Sequence, residues 1–204
     1  MYVRDVQLTR SRIIATVIEL IETDGVEAVS MHRLATELGC SVMSLYNHVP
    51  SKSALLDRIA DQVMSAVEVT PMPQAGCAEW LQAQVRAFRK IARTHPRCAM
   101  VALSRRPTSA SRVRPAETAL ATLLEAGFKG QEAVRILRTF LAYIMGSLML
   151  EVANAPGLAD AEDVAGAKPW NAELEGRDPE ADFEFGLDLL AQAVAAAARR
   201  ADAV

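Results

Sequence analysis

The sequence YNHVPSK concentrates hydrogen-bonding side chains at one point: a phenol, an amide and an imidazole stand side by side at Tyr46, Asn47 and His48, and Lys52 follows. Each of these groups can donate to a phosphate oxygen or to the edge of a base. Pro50 prevents a helix that contains the first three from continuing. The pattern therefore predicts a short helix with an exposed polar tip, followed by a helix whose N-terminus, beside Lys52, can bind an anion.

A second candidate for chemistry is the sequence HPRC, which places His95 and Cys98 three residues apart. The two side chains could share a metal ion, but a closed zinc site needs four ligands. We therefore expect no metal site, and instead a turn histidine that caps a helix end and a buried thiol. A redox or metal sensor that acts through Cys98 stays open as an alternative.

Motifs of familiar catalytic chemistry are lacking: the sequence has no Gly-rich phosphate loop, no G-x-S-x-G elbow and no His-rich metal motif. We therefore predict that the chain is not an enzyme and uses no cofactor. Because catalytic groups can be spread through a helical pocket, a helical enzyme or carrier that does not bind DNA remains an alternative.

The composition is that of a helical protein with a sizeable core. Of the 204 residues, 51% are hydrophobic and only 5% aromatic, which favours helices over sheets. Three scattered cysteines and an N-terminus without an apolar run predict a cytoplasmic chain without disulfides or a signal peptide. The net charge is −3, and the first 70 residues contain six Lys and Arg against nine Asp and Glu. Any contact with DNA must therefore depend on the local placement of side chains rather than on bulk charge.

Serine and threonine caps, together with glycine and proline stops, divide the first 70 residues into four helices. The predicted ranges are about 10–24, 31–38, 41–49 and 51–69. In the second and third helices, Leu34, Leu38, Leu45 and Val49 are spaced to form a shared core, and Gly39 can adopt the left-handed turn between them. This is the layout of a helix-turn-helix, although a helical corner within a core gives the same spacing.

Longer helices follow the TPMPQAG break, and no strand pattern or internal repeat occurs. The predicted ranges are about 78–94, 97–105, 111–127, 131–153 and 180–200. Between the last two, residues 154–178 carry several prolines and glycines and are predicted to form a long irregular loop. We thus predict an all-α chain with an N-terminal three-helix helix-turn-helix domain (1–50), a connecting helix (51–69) and a larger helical domain (70–204).

Helix 131–153 is apolar on nearly every side, and helix 180–200 shares this property. Charged residues interrupt the first of these, and we interpret it as a buried helix rather than a membrane span. A single domain can cover only one face of such a helix, so the remainder requires a partner. We therefore predict a homodimer through these two helices, where Gly146 and Gly186 permit close approach. A monomer with a central helix is the alternative.

Three runs of residues give the chain its resemblance to a known family. They are LTRSRIIATVIELIETDGVEAVSMHRLATELGCSVMSLYNHVPSKSALLDRIADQV, AGFKGQEAVRILRTFLAYIMGSLMLE and FEFGLDLLAQAV. The first is similar to the DNA-binding domain of the TetR (tetracycline repressor) family, and the others are less specifically similar to the C-terminal domain of its tetracycline repressor subgroup. The resemblance implies a transcriptional regulator in which residues 70–204 form a ligand-binding and dimerisation domain. A two-fold dimer would place two recognition helices about 34 Å apart on a palindromic site.

The resemblance also implies which side chains contact double-stranded DNA. Tyr46 and Lys52 match positions that hold phosphates, and His48 matches a position at the groove edge. Where the tetracycline repressor reads guanine with an arginine, this chain has His32, and where it reads adenine with a glutamine, this chain has Val42. Neither replacement can make the same paired hydrogen bonds, so the operator cannot be inferred by analogy. The predicted DNA-binding residues are Arg10, Arg12, His32, Ser41, Val42, Met43, Ser44, Tyr46, Asn47, His48 and Lys52.

The predicted effector site combines an apolar lining with the hydrogen-bonding groups of Gln84 and Tyr143, a mixture typical of small-molecule sites. The candidate residues are Trp80, Gln84, Phe88, Met100, Leu103, Leu123, Phe140, Tyr143 and Met149. Methionine and aromatic residues at helical spacing also form plain core, and this interpretation stays open. We expect an apolar or aromatic effector that tilts the 51–69 helix and releases a repressor from DNA.

Overall fold

The computed structural model describes residues 8–68, 76–153 and 178–201, and within them every regular element is helical. The helices are α1 (Arg10–Asp24), α2 (Met31–Leu38), α3 (Val42–Tyr46), α4 (Lys52–Ser65), α5 (Cys77–Ala92), α6 (Pro96–Ser104), α7 (Ala110–Glu125), α8 (Gly130–Ala153) and α9 (Pro179–Ala201). One turn of 3-10 helix, Val26–Ala28, follows α1. The all-α prediction is confirmed. The predicted loop at 154–178 lies, except for its last residue, outside the described residues.

The four N-terminal helices begin where a hydroxyl side chain can accept a hydrogen bond from a free backbone N–H group. Thr9, Ser30, Ser41 and Ser51 each accept from the N–H three residues later, at 3.0–3.2 Å. Gly39 ends α2 with a φ of 66°, in the left-handed region that favours glycine. The predicted caps of these four helices are therefore confirmed.

The helices α3 and α4 end earlier than the sequence predicted. α3 stops at Tyr46 rather than at Val49, because a tight turn follows in which two backbone N–H groups share the Leu45 carbonyl. α4 stops at Ser65 rather than at residue 69. The β-branched Val67 lies just beyond this end, and β-branched side chains lose rotamer freedom in a helix.

The chain forms two compact units. The first comprises Met1–Glu68 and Lys90–Arg114, so it holds α1–α4, α6 and the beginning of α7. The second comprises Val69–Arg89 and Pro115–Val204, and its described part holds α8, α9 and most of α5 and α7. Neither unit is continuous in sequence. The predicted domain boundaries divide the chain into consecutive segments rather than into groups of contacting helices, and they stay predictions.

The core of the first unit forms where α1, α4 and α6 pack on one another. Its fully buried side chains include Ile13, Val17 and Ile21 of α1 and Leu55 and Ile59 of α4. Each set recurs every three or four residues, which places it on one helix face. The α2–α3 pair adds to this core by packing on α1.

Two side chains, Glu22 and Arg97, join the end of α1 to the start of α6. The Glu22 carboxylate accepts from the backbone N–H groups of Arg97 and Cys98, at 3.3 and 2.8 Å. In return the Arg97 guanidinium donates to the carbonyls of Glu22 and Thr23, at 2.9 and 2.7 Å. Each side chain thus satisfies free backbone groups at the terminus of the other helix. His95 precedes α6 as predicted, but its side chain does not cap the helix, because Glu22 does so instead.

In the second unit α8 packs against α9, and the buried Arg89 of α5 binds both helices. Its guanidinium pairs with Glu151 at 2.8 Å and with Glu180 at 2.7 Å, and it lies 4.0 Å from the centre of the Phe183 ring. Burial alone would lower the pKa of Arg89, but hydrogen bonds to the two carboxylates outweigh it and the pKa is raised. Arg89 therefore stays charged and ties the last turn of α8 to the first turn of α9.

α8 is covered on one face only. The segment Gly130–Val152 is long and apolar enough for a membrane span by length and composition, and 22% of its most apolar stretch is buried. This is a weak indication, because the core helix of a water-soluble protein passes the same test. The large exposed apolar side chains of α8 and α9 are Val134, Leu141, Met149, Leu150, Phe185 and Leu189. We call this set the α8–α9 apolar surface. The prediction of a buried helix thus holds for one face of α8 in the single chain.

Candidate nucleic-acid interface

The segment from α2 through α3 has the buried core that a helix-turn-helix requires. The side chains of Leu34, Leu38, Leu45 and Val49 are all buried, and α2 packs on α3. With these positions turned inward, the remaining side chains of the five-residue α3 point along its edges or outward. The predicted helix-turn-helix core is confirmed.

The outer side of α3 brings together five of the predicted DNA contacts. Met43 is 72% exposed and Tyr46 is 46% exposed. Ser44 and Asn47 are exposed as well, and Val42 is half-buried. An exposed apolar side chain at this place can contact a thymine methyl group, while the hydroxyl and amide groups can bond to base edges.

Ser41 and Ser44 already have roles in the cap of α3. The Ser41 hydroxyl accepts from the Ser44 backbone N–H at 3.0 Å, and the two hydroxyl oxygens lie 2.9 Å apart. A hydroxyl has one donor and two acceptor sites, so each serine keeps part of its capacity. Any contact of these two residues with DNA must use that remaining part.

On α2 the predicted reading residue His32 is exposed, and its neighbour Arg33 is engaged within the chain. The Arg33 guanidinium forms ion pairs with Asp24 of α1 and Glu37 of α2. These pairs were not predicted from the sequence, although the spacing of Arg33 and Glu37 is that of helix neighbours. Among the described residues, Arg33 is therefore held by ion pairs, whereas the structure shows no ion pair for the neighbouring His32.

Three of the residues predicted to lie at the DNA backbone, Lys52, Arg10 and Arg12, are at the beginnings of two helices. Lys52 is the first residue of α4 and is half-buried, and the nearby His48 is half-buried as well. Arg10 is the exposed first residue of α1, and Arg12 lies half-buried within its first turn. A helix N-terminus carries partial positive charge and free N–H groups, so a basic side chain beside it adds to an environment that attracts phosphate.

A cluster that was not predicted from the sequence holds α4 to the end of α6 and the start of α7, all within the first unit. Arg105 Nε and Arg112 Nη1 donate to the same Asp57 oxygen, at 3.0 and 3.1 Å. The Ser109 hydroxyl donates to Asp61 at 2.6 Å. The hydrogen bond from Arg105 holds the pKa of Asp57 below its usual value. We call these five residues the arginine–aspartate clamp; its sequence signal was a pair of aspartates one helical turn apart.

The predicted effector residues are distributed over both units. Trp80, Phe88, Leu123 and Phe140 are buried in the second unit, where Gln84 is half-buried. Met100 and Leu103 are half-buried on α6 in the first unit. Burial of this kind fits a ligand site and a plain core equally well, so these assignments stay predictions.

Two further effector candidates, Tyr143 and Met149, have surroundings that the sequence did not indicate. The Tyr143 hydroxyl donates to the Phe183 carbonyl at 2.6 Å, and the two rings stack with centroids 5.5 Å apart. Gly186 makes room for this ring, since a Cβ there would lie 2.5 Å from the Tyr143 oxygen. Burial raises the pKa of Tyr143, so its proton stays available for this bond. Tyr143 therefore links α8 to α9, and Met149 belongs to the α8–α9 apolar surface.

Cys98 is the buried thiol that the sequence predicted. Burial raises the pKa of the Cys98 thiol well above its usual value, which disfavours the reactive thiolate. Within residues 8–68, 76–153 and 178–201, no group of three His, Cys, Asp or Glu side chains could hold a metal ion. The raised pKa of the thiol weakens the alternative of a redox sensor that acts through Cys98.

Two models of known protein families match this sequence. Residues 13–59 match the sequence model described as bacterial regulatory proteins, tetR family, and residues 70–173 match the tetracyclin repressor-like C-terminal domain. The HTH-type transcriptional repressor DrrR1 of Streptomyces coeruleorubidus is 30% identical over 161 residues, which cover 76% of this chain and 60% of that protein's length. The class C tetracycline repressor protein of Escherichia coli is 28% identical over 199 residues, or 90% of this chain and 89% of that protein.

A solved structure extends the likeness to the fold. The Streptomyces coelicolor TetR family protein ActR in complex with actinorhodin superposes with a TM-score of 0.75 at 26% identity, covering 94% of this chain and 99% of that one. The two matched sequence models together span both the helix-turn-helix and most of the C-terminal helices. The chain therefore belongs to the TetR family, a family of helix-turn-helix transcriptional repressors that bind DNA and ligands.

Proposed function

We propose that the chain is a homodimeric cytoplasmic repressor that binds a palindromic operator and is released from it by an apolar or aromatic small molecule. The observation that carries the proposal is the exposed tip of α3 above a buried helix-turn-helix core, with Met43 and Tyr46 outermost. A short capped helix of this kind fits the major groove of a duplex. The family is one of regulators rather than enzymes, in keeping with this proposal.

The proposed contacts divide into those that read bases and those that hold the backbone. His32 and Val42, together with Met43, Ser44 and Asn47, read base edges and methyl groups. Phosphates and the sugar-phosphate backbone are held by Arg10, Arg12, Tyr46 and Lys52, while Ser41 and His48 contact DNA at the groove edge. Because the net charge is −3, binding depends on these local groups and weakens as salt rises.

The DNA proposal is tested by selecting duplexes from a random-sequence library with the purified protein and measuring the affinity of the selected sequence. Val42→Ala should then change the preference at one or two base pairs only, since a single apolar contact is lost. Gln62→Ala, an exposed position on α4 outside the predicted contacts, serves as the control and should leave the selected sequence unchanged. Failure to enrich any duplex would contradict the proposal, and a uniform loss of affinity with Val42→Ala would reassign that residue to the fold.

The proposed dimer forms through the α8–α9 apolar surface. Six large apolar side chains are exposed on these two helices of the single chain, and a concentration of exposed apolar side chains favours an interaction site. In a two-fold dimer the same surface of both copies would be covered. Two copies of α3 would then face neighbouring major grooves about one DNA turn apart.

The proposed effector acts through α4. In the first unit α4 packs on α6, the helix that carries the candidates Met100 and Leu103. An effector that shifts α6 would tilt α4, change the angle of the paired α3 helices and weaken DNA binding. The coupling between ligand and DNA is expected to be about 1–3 kcal/mol and must be reciprocal.

This coupling can be tested with a library of aromatic compounds added to a fluorescently labelled operator duplex bound to the protein. Compounds that release the duplex should quench the intrinsic tryptophan fluorescence, because the buried Trp80 is among the candidate contacts. Trp80→Phe should remove that quenching while release persists. If every compound that binds the protein tightly left its affinity for DNA unchanged, the proposed mechanism would be overturned.

A further inference from the structure

We infer that the arginine–aspartate clamp positions the N-terminus of α4 for DNA, so that Arg105 and Arg112 control the affinity of the DNA-binding surface without touching the duplex. The inference rests on the proposed function, because it requires that Lys52 and the start of α4 bind phosphate. It adds two positioning residues at the end of α6 and the start of α7, which lie about 60 residues beyond α3 in sequence.

The clamp reaches the proposed phosphate site directly. Arg105 Nη2 donates to the Ser53 carbonyl at 3.2 Å and to the Ser53 hydroxyl at 2.8 Å. Ser53 follows Lys52 in the first turn of α4. With its Nε on Asp57 one turn later, Arg105 bridges the first two turns of the helix. A single guanidinium thereby fixes the segment that would present Lys52 and the free N–H groups to a phosphate.

The anchor of the clamp is itself rigid. The Arg112 side chain is 2% exposed, and besides Asp57 it donates to the Arg106 carbonyl at 2.6 Å and to the Thr108 hydroxyl at 3.3 Å. Ser109 adds its bond to Asp61. Hydrogen bonds made by a buried guanidinium hold their geometry better than those of an isolated surface ion pair. α4 is therefore held by a preformed structure rather than by flexible side chains.

Charge and position make opposite predictions for Asp57. If only charge mattered, removing this carboxylate near a DNA-binding surface would strengthen binding, since less negative charge repels the phosphates. If the clamp positions α4, the same change removes the charge that draws Arg105 and Arg112 to one point of α4, and binding weakens. Asp57→Asn is nearly the same size as the native residue, so it separates the two effects with little change in packing.

The experiment measures the affinity of Asp57→Asn for the selected operator duplex. We expect binding to weaken about tenfold, the effect of losing roughly one charge-assisted hydrogen bond. Asp57→Glu, which keeps the charge and can reach the arginine, should recover most of the affinity. The matched charge control is Glu19→Gln at an exposed position of α1, for which binding should stay equal or become slightly tighter. Helix content and thermal unfolding of every variant are measured by circular dichroism, so that binding is compared among folded proteins.

A second pair of variants keeps the inference testable if Asp57→Asn does not fold. Arg105→Gln and Arg106→Gln each remove one positive charge at neighbouring positions, but only the first removes a side chain of the clamp. Arg105→Gln should therefore weaken operator binding clearly more than Arg106→Gln. Equal losses for these two, or tighter binding by folded Asp57→Asn, would overturn the inference while leaving the proposed function intact. If the unaltered protein enriched no duplex, the proposed function itself would fail instead.

Discussion

Replacing Phe185 by alanine should weaken the proposed dimer strongly. On the single chain 69% of this side chain is exposed. Complete burial of a phenylalanine side chain is worth up to about 3 kcal/mol, so a partner that covers the exposed part gains about 2 kcal/mol from each copy. Two-fold symmetry places two such residues in the interface, and the sum of about 4 kcal/mol corresponds to a dissociation constant larger by about a thousandfold.

The assay is subunit exchange between two differently labelled preparations, followed by energy transfer. Most affinity changes of this kind appear in the dissociation rate, so Phe185→Ala should exchange far faster than the unaltered protein. Leu124→Ala, at an exposed position of α7 in the same unit, is the matched control and should exchange at the unaltered rate. Exchange of Phe185→Ala as slow as that of the control would refute the assignment of the interface to the α8–α9 apolar surface.

Three further predictions concern stability. Since the pKa of Asp57 is lowered in the folded chain, its stabilisation should be complete above its ordinary pKa and should disappear as the pH falls through the lowered value. Urea titrations of the unaltered protein and Asp57→Asn should accordingly differ at neutral pH and converge in acid; a constant gap would contradict this. Arg89→Met should lose about 2 kcal/mol of unfolding free energy by removing the charge-assisted hydrogen bonds of a buried guanidinium to partly exposed carboxylates, whereas Arg89→Lys should lose less; equal losses would argue against the geometry of the guanidinium. Gly186→Ala should cost about 1–3 kcal/mol because the new methyl group would overlap Tyr143, and combining it with Tyr143→Ala should remove most of that extra cost in a double-mutant cycle.

Local sequence signals were sufficient for the N-terminal helices. Ser30 and Gly39 bound α2 because hydroxyl capping and left-handed backbone conformation are properties of single residues and their immediate neighbours. The buried set of Leu34, Leu38 and Leu45 likewise followed from helical periodicity. The helix-turn-helix could therefore be predicted from the sequence. Helix ends were less certain: α4 stops at Ser65 without a glycine or proline to mark the place.

Contacts between distant residues could not be predicted in the same way. Glu22 caps α6 across 76 residues of sequence, while the nearer His95 does not, because a cap requires an acceptor at the right place rather than a nearby residue of suitable type. The hydrogen bond from the Tyr143 hydroxyl to the Phe183 carbonyl was likewise not predicted from the sequence. This hydrogen bond depends on how closely α9 approaches α8, and the absence of a side chain at Gly186 permits that approach.

The sequence by itself determined the all-α class, the capped helices and the residues of the helix-turn-helix, since these follow from neighbours within one or two helical turns. Only the tertiary structure decided which charges meet. Arg105 and Arg112 converge on one oxygen of Asp57, and Arg89 joins the ends of two helices. Pairing of this kind depends on the packing of whole helices, whose relative positions are set by the summed burial of many side chains rather than by any single motif.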